Sequence, residues 1–166
     1  MKTYQVFNIF QTGGLGEAFY EVPETLELND FQKDEGAEKL IFSTDAKIEI
    51  KESRAFYNAT SDSITLPLQG QFHGTEPFYG TALHELAHWT DNSKRLDRKM
   101  SGFFGSPDYA KEELIAEQSS AYLCASLGFI KTISNNAAYL KSWLSSLKEN
   151  SKLIFTASSH AQKAAD

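Results

Sequence analysis

Three residues of the chain, His84, Glu85 and His88, form an H-E-x-x-H pattern that matches the parts of a hydrolytic metal site. Residues four apart lie on one face of a helix, so the two imidazoles can bind a single cation. Glu85 is offset from His84 by about 100° around the helix axis. We therefore predict that Glu85 reaches a water in the open coordination position instead of binding the cation tightly.

The residues around this motif favour a helix over a chance occurrence. Glu76 and Pro77 are typical of a helix start, and residues 78–89 are mostly apolar. Two histidines in a largely apolar helix need partners, because an unpaired buried polar group is costly, and a shared metal ion provides one. Gly80 opposes the prediction, since glycine costs up to about 1 kcal/mol relative to alanine inside a helix.

A third metal ligand is predicted on the next helix, which starts at Pro107 and ends near Leu127. A catalytic zinc site normally has three protein ligands and leaves the fourth position to water. Glu113 and Glu117 share a helix face, so one can bind the metal while the other orients a histidine ring. We favour Glu113 as the ligand and Glu117 as the orienting residue, with the reverse assignment open. We expect Glu112 to be a solvated acidic residue near the start of the helix, where the helix dipole stabilises a negative charge.

This donor set predicts peptide hydrolysis with Zn²⁺ as the cofactor and a protein or peptide as the substrate. Zinc bound by two neutral imidazoles and a carboxylate lowers the pKa of its water to about 7. Glu85 then accepts a proton as the water attacks a carbonyl carbon, and delivers it to the departing amine. Candidates to stabilise the oxyanion are His73, Tyr79 and Tyr109, although each residue type is more often a packed aromatic or a surface imidazole.

Composition limits the classes of protein to which the chain can belong. Its 166 residues, 41% hydrophobic and 13% aromatic, predict one folded domain. A net charge of −6 argues against general electrostatic binding of nucleic acid. A single cysteine, Cys124, excludes an internal disulfide and fits a reducing compartment. The sequence shows no signal peptide or membrane span, so we expect a cytoplasmic protein, and nothing in it indicates an oligomeric state.

The hydrophobic pattern predicts strands first and helices afterwards, an α+β architecture. Pro67 cannot donate to a strand ladder, so we predict that residues 63–68 form an edge strand, to which an extended substrate could add beside the metal helix. The predicted strands are residues 4–10, 47–51, 55–58 and 63–68, and the predicted helices are residues 29–43, 76–91, 107–127, 135–148 and 151–163.

Five segments in a fixed order resemble one protein family. They are Y-Q-V-F-N-I-F-Q-T-G-G-L near the start, R-A-F-Y-N-A-T-S-D-S-I-T-L-P at residues 54–67, F-Y-G-T-A-L-H-E-L-A-H-W-T at residues 78–90, Y-A-K-E-E-L-I-A-E at residues 109–117, and A-Q-K-A-A-D at the C-terminus. Together they resemble the zincin-like metallopeptidase domain of ArdC-type antirestriction proteins, which is also found at the C-terminus of plasmid primases.

The resemblance implies a zinc-dependent, peptidase-like domain with His84 and His88 as ligands and Glu85 as the base. It implies an acidic ligand at Glu113 or Glu117. Related zincins use the first glutamate of an E-x-x-A-[ND] pattern, which corresponds to Glu113, and this chain has Glu117 where they have Asn or Asp. The expected fold is a small antiparallel or mixed sheet followed by a helical half that contains H-E-x-x-H.

The resemblance also sets expectations for domain organisation and biology. Full-length relatives have an N-terminal domain that binds single-stranded DNA, so we expect residues 1–166 to be a single metallopeptidase domain without it. The expected setting is antirestriction or mobile-element biology. An alternative is a non-catalytic antirestriction module with a structural metal, which would have four protein ligands. A metal-dependent nuclease is disfavoured, because such sites usually gather carboxylates around two ions.

Overall fold

The computed structural model describes residue 14 and residues 32–52, 54–98, 106–129 and 151–166. The strands are β1 (Lys47–Glu52), β2 (Phe56–Asn58) and β3 (Ser63–Pro67), and the helices are α1 (Glu35–Phe42), α2 (Thr75–Trp89), α3 (Pro107–Ser126) and α4 (Leu153–Ala165). A short 3₁₀ turn, Gln69–Gln71, leads into α2. The predicted strand at residues 4–10 and the predicted helix at residues 135–148 lie outside the described residues.

The three described strands form a mixed sheet in the order β1-β3-β2. β1 runs parallel to β3, and β2 runs antiparallel to it. Residues 59–62 make the tight connection between β2 and β3, in which the Asn58 side chain accepts hydrogen bonds from the backbone of Thr60 and Ser61. Asp62 ends this turn with a φ of 51°, a conformation that aspartate tolerates better than most residues.

The prediction that β3 is an edge strand is wrong, because β3 lies between the other two strands. Pro67 is tolerated there since it is the last residue of β3 and pairs with Glu52 where the register of β1 shifts. At this end position the missing N–H of proline removes no hydrogen bond from the middle of the strand ladder. All five residues of β3 are buried, as a central strand requires. Within the described part of the sheet, β1 and β2 form the edges.

Helix α2 packs against the sheet through its apolar residues and forms the main core. Ile64 and Leu66 of β3 are buried with Phe78, Leu83 and other residues in one cluster. Cys124 of α3 joins this cluster and is fully buried. Burial of this kind is the largest favourable contribution to folding, so the core fixes α2 relative to the sheet.

Helix α3 lies between α2 and α4. Ser120 donates a hydrogen bond across to the Gly80 carbonyl of α2 at 2.9 Å, and Leu114 and Ile115 pack with Ala157 and Ala161 of α4. The Ser106 side chain accepts from the backbone of Tyr109 at the start of the helix, as a cap should. The chain leaves the helix through Gly128, whose φ of +79° favours glycine. Because Ser120 in the second half of α3 contacts Gly80 in the first half of α2, while Glu112 lies against His88, the first turns of α3 lie beside the last turns of α2.

Two details of the predicted helices are corrected by the structure. The first helix begins at Glu35, and Asp34 caps it by accepting from the backbone of Ala37 at 2.8 Å. The hydrophobic pattern of the first and last predicted helices suggests that Phe42 and Phe155 face the core, but their side chains are 78% and 77% exposed. Both lie on the exposed sides of their helices, and periodicity alone does not tell which side is covered.

The observed order of a small mixed sheet followed by helices confirms the predicted α+β architecture. None of the described helices has the length and apolar character that a bilayer crossing needs.

Candidate metal centre

Helix α2 presents His84 and His88 to the same side, one turn apart. Their Nε2 atoms lie 3.2 Å from each other, and the rings meet edge to face. The side chains are 18% and 15% exposed, so the site is shielded but reachable. Two imidazole nitrogens this close, directed at a common point, are suited to bind one ion.

Glu113 of α3 supplies a carboxylate to that same point. Its oxygens lie 3.7 Å from His84 Nε2 and 3.4 Å from His88 Nε2. Bonds of about 2.0–2.1 Å to a tetrahedral ion put neighbouring donor atoms about 3.3–3.4 Å apart. Within the described chain, His84, His88 and Glu113 form a group with donors close enough to hold a metal ion. The residues therefore fit a divalent cation with three protein ligands.

The other nitrogen of each histidine faces a different carboxylate. Glu117 Oε1 lies 3.6 Å from His84 Nδ1, and Glu112 Oε1 lies 3.3 Å from His88 Nδ1. A ring N–H directed at a carboxylate fixes the tautomer and leaves Nε2 free to bind a metal. Glu117 therefore has the geometry of an orienting residue.

The expectation of a solvated Glu112 is wrong. Glu112 is only 7% exposed, and it contacts both His88 and the guanidinium of Arg98. Arg98 Nε donates to Glu112 Oε2 at 3.0 Å, and its Nη2 donates to Oε1. The helix start is buried here because the segment after α2 folds back over it, an arrangement that the local pattern of α3 does not reveal.

Glu85 lies beside this group and points towards β2. It is 8% exposed, and the Tyr57 backbone donates a hydrogen bond to its carboxylate. Burial, reinforced by the negative charge of Glu113 and opposed by His88, raises the pKa of Glu85 to about 7. A carboxylate with a pKa near neutral is well matched to proton transfer at physiological pH.

The histidines and acids of the site influence each other's protonation. Burial, with the charge of His88, lowers the pKa of His84 to about 4. For His88, burial is outweighed by hydrogen bonds to Glu112 and Glu113, which raise its pKa to about 10. Burial and the charge of Glu113 raise the pKa of Glu117 to about 7. For Glu113, burial is outweighed by the contact with His88, which lowers the pKa.

Of the three candidates for an oxyanion-stabilising side chain, only Tyr109 reaches the metal centre. Its hydroxyl hydrogen-bonds to Glu113, and burial with this contact raises its pKa to about 12. The Tyr79 hydroxyl instead donates to Glu38 at 2.6 Å in the core. His73 is exposed in the turn before α2.

Sequence reasoning missed two contributors to the site, Arg98 and the backbone of Tyr57. Arg98 lies in the charged segment that follows α2, and its side chain is 1% exposed. Tyr57 approaches Glu85 because β2 borders α2, which depends on strand order. The positive charge of Arg98, shortly after the helix that contains H-E-x-x-H, only weakly indicated a role at the site. No local sequence pattern indicated that the Tyr57 backbone would approach Glu85.

Comparison with known proteins agrees with a metal centre formed by the H-E-x-x-H helix. A family model described as "Zincin-like metallopeptidase" matches residues 35–160. DNA primase TraC of Escherichia coli is 45% identical over 133 residues, which are 80% of this chain and 12% of the primase. Protein y4eC of Sinorhizobium fredii is 37% identical over 166 residues, 99% of this chain and 52% of that protein.

Two solved structures of the antirestriction protein ArdC from plasmid R388 are similar to this chain. The Mn(II)-bound form is 43% identical, has a TM-score of 0.70, and aligns with 99% of this chain and 60% of that one. The metal-free form is 42% identical with a TM-score of 0.66 over 87% of this chain and 54% of that one. The chain thus spans a small part of the primase and little more than half of the other relatives. The resemblance noted in the sequence is confirmed, and the chain belongs to the zincin-like metallopeptidase family.

Proposed function

We propose that this chain is a zinc-dependent peptidase domain that hydrolyses peptide bonds in a protein substrate. The observation that supports this best is the convergence of His84 Nε2, His88 Nε2 and Glu113 at 3.2–3.7 Å, with Glu85 next to them. Three protein donors leave a fourth position of a tetrahedral ion for water or substrate, which is the arrangement of catalytic zinc sites.

The choice of zinc rests on the chemistry of the donors. Two imidazoles and one carboxylate suit zinc, whereas manganese and magnesium sites are richer in oxygen ligands. The ArdC structure with Mn(II) supports a divalent ion in this family's fold. Metal content of the purified protein therefore decides between zinc and manganese.

The residues of the chain divide the catalytic work among them. A bound divalent ion supplies Lewis acidity, which polarises a carbonyl and brings the pKa of water to about 7. Glu85 accepts the proton of the attacking water and passes it to the amine of the departing peptide. Tyr109, already at the site through Glu113, donates a hydrogen bond to the developing oxyanion.

The position of β2 supports a binding mode for an extended substrate. β2 is an edge of the described sheet, and the Tyr57 backbone contacts Glu85 directly. A peptide adding to this edge would pass over the metal centre with its main chain hydrogen-bonded to β2. We therefore propose β2 as the strand to which the substrate adds, in place of the β3 edge expected from Pro67.

The relatives support a role in antirestriction or mobile-element biology. ArdC is an antirestriction protein of a plasmid, and TraC is a DNA primase. We propose that the substrate is a host protein in the cytoplasm, and that DNA binding belongs to other parts of such proteins. The −6 charge of the chain agrees with this division.

A non-catalytic module with a structural metal is the alternative. A structural zinc usually has four protein ligands, and the described residues provide three at this point. Glu85, which is buried and has a pKa of about 7, has no role in a purely structural site, yet its burial costs stability. Both observations favour catalysis.

The test combines metal analysis with cleavage of a proteome-derived peptide mixture, read by mass spectrometry. We expect about one zinc ion per wild-type chain, cleavage by the wild type, and a roughly 10²–10⁴-fold loss of cleavage in Glu85→Gln with zinc retained. The matched control is Asp108→Asn, which removes an exposed carboxylate of α3 and should leave the cleavage rate at the wild-type level. Undiminished cleavage or antirestriction activity in zinc-loaded Glu85→Gln would contradict the proposal.

A further inference from the structure

We propose that Arg98 is a positioning residue that acts on His88 through Glu112, so that His88 presents Nε2 to the metal. The inference rests on the proposed metal centre and assigns a role to two residues outside its donor set.

The first step is the contact between Glu112 and His88. Glu112 Oε1 lies 3.3 Å from His88 Nδ1, while His88 Nε2 faces His84 and Glu113. A carboxylate at Nδ1 keeps the proton on that nitrogen once a metal takes Nε2. Rotation of the His88 ring would break this hydrogen bond, so Glu112 holds the ring in its ligating orientation.

The second step is the contact between Arg98 and Glu112. A carboxylate that is 7% exposed needs a compensating charge, and Arg98 provides it through Nε and Nη2, one nitrogen to each oxygen. This two-point contact fixes the plane of the carboxylate as well as its charge. A lysine could supply the charge but not the second point of contact.

The third step is the anchoring of Arg98 itself. Its side chain is 1% exposed, Nη1 donates to Thr90 Oγ1 at 2.6 Å, and Nη2 donates to the Ala87 carbonyl at 2.9 Å. The guanidinium therefore joins the C-terminal turn of the helix that holds both histidines to the first turns of α3. Asp91 Oδ1 lies 3.6 Å from Arg98 Nε and adds a second negative charge beside it.

The same segment offers a matched control in Arg95. Arg95 also forms a two-point contact with a carboxylate, Asp62, donates to the Trp89 carbonyl at 2.6 Å, and stacks on the Trp89 ring. It touches neither histidine in any described contact. A purely structural role for such arginine–carboxylate pairs predicts equal effects at both positions, whereas a positioning role predicts an effect on the metal only at Arg98.

The experiment measures zinc affinity by chelator competition and the visible spectrum of the Co²⁺-substituted protein. We expect Glu112→Gln to weaken zinc binding about 10–100-fold and to shift the Co²⁺ spectrum. Arg98→Lys should weaken binding in the same range, and the double variant should lose no more than Glu112→Gln alone, because both changes act through one contact. Arg95→Lys should keep wild-type affinity and spectrum. Thermal melts of the metal-free variants report separately on folding.

Several results would overturn the inference. Wild-type affinity and spectrum in Glu112→Gln would show that the carboxylate does not position His88. Additive losses in the double variant would show that Arg98 does not act through Glu112, and an equal loss in Arg95→Lys would assign the effect to general destabilisation. If Glu112→Gln does not fold, Arg98→Lys measured against Arg95→Lys still decides. A wild-type protein that binds neither ion contradicts the proposed function itself, which is a distinct result.

Discussion

Replacing Glu85 with glutamine should stabilise the metal-free protein at alkaline pH. Burial, with the charge of Glu113 adding and His88 opposing, raises the pKa of Glu85 from its ordinary 4.5 to about 7. The folded chain therefore binds this proton more tightly than the unfolded chain does. The sign follows directly: the free energy of unfolding decreases as pH rises from about 4.5 through 7, and the full penalty is present above 7.

The size of the effect follows from the same pKa change. At about 1.4 kcal/mol for each tenfold change in proton affinity, the buried charge costs on the order of 3 kcal/mol above pH 7 and less than about 1 kcal/mol at pH 5. Glutamine has a similar volume and can still accept from the Tyr57 backbone, so the substitution removes the charge without leaving a cavity. For a chain of this length, the gain corresponds to a rise in Tm of about 6–12 °C at pH 8.

The measurement is thermal unfolding by circular dichroism, in the presence of a chelator, at pH 5 and pH 8. The difference in Tm between Glu85→Gln and wild type should be several-fold larger at pH 8. Asp108→Asn, which removes an exposed carboxylate from α3, is the matched control for the loss of a negative charge. A Glu85→Gln variant that gains the same amount at both values, or is less stable at pH 8, would refute the reasoning about the buried charge.

Other substitutions test the ligands, the proton balance, the site and the core. His84→Ala should reduce bound zinc from about one ion per chain to an undetectable level in equilibrium dialysis, and retained stoichiometric zinc would speak against a three-donor site. Because contacts with Glu112 and Glu113 raise the pKa of His88 to about 10, zinc binding at pH 7 should release a proton, which calorimetry in buffers of different ionisation enthalpy detects. For the same reason the affinity for zinc should fall as pH falls. Tyr109→Phe should lower kcat on a cleaved peptide by up to about 10²-fold with KM little changed, and an unchanged kcat would remove its oxyanion role. Leu83→Ala, at a fully buried position, should cost about 2–5 kcal/mol in urea unfolding, whereas exposed Leu68→Ala should change stability by less than about 0.5 kcal/mol.

The parts of the site that depend on helix geometry could be read from the sequence. The spacing of His84 and His88 fixes their common face once α2 is recognised, and the grouping of Glu113 with those rings in the structure matches the acidic helix face. The shared face of His84 and His88 on α2, and that of Glu113 and Glu117 on α3, are local relations, because each depends on residues four positions apart within one helix. The meeting of the two faces depends on how α2 and α3 pack.

The features that depend on long-range packing could not be predicted from the sequence. β3 alternates polar and apolar residues in a way typical of a half-exposed strand, yet Ser63 and Thr65 are nearly as buried as Ile64 and Leu66. Strand order places β3 in the centre, and no local pattern encodes strand order. Glu112 likewise looked solvated, because its burial depends on a segment that returns from the far end of α2.

That segment, residues 90–98, has a consequence for how the domain can vary. Arg95 fastens it to Asp62 in the turn beside β2, and Arg98 fastens it to Glu112 on α3. A change in its length would therefore disturb both the turn between β2 and β3 and the support of His88. Insertions and deletions should therefore be rare in these nine residues among relatives.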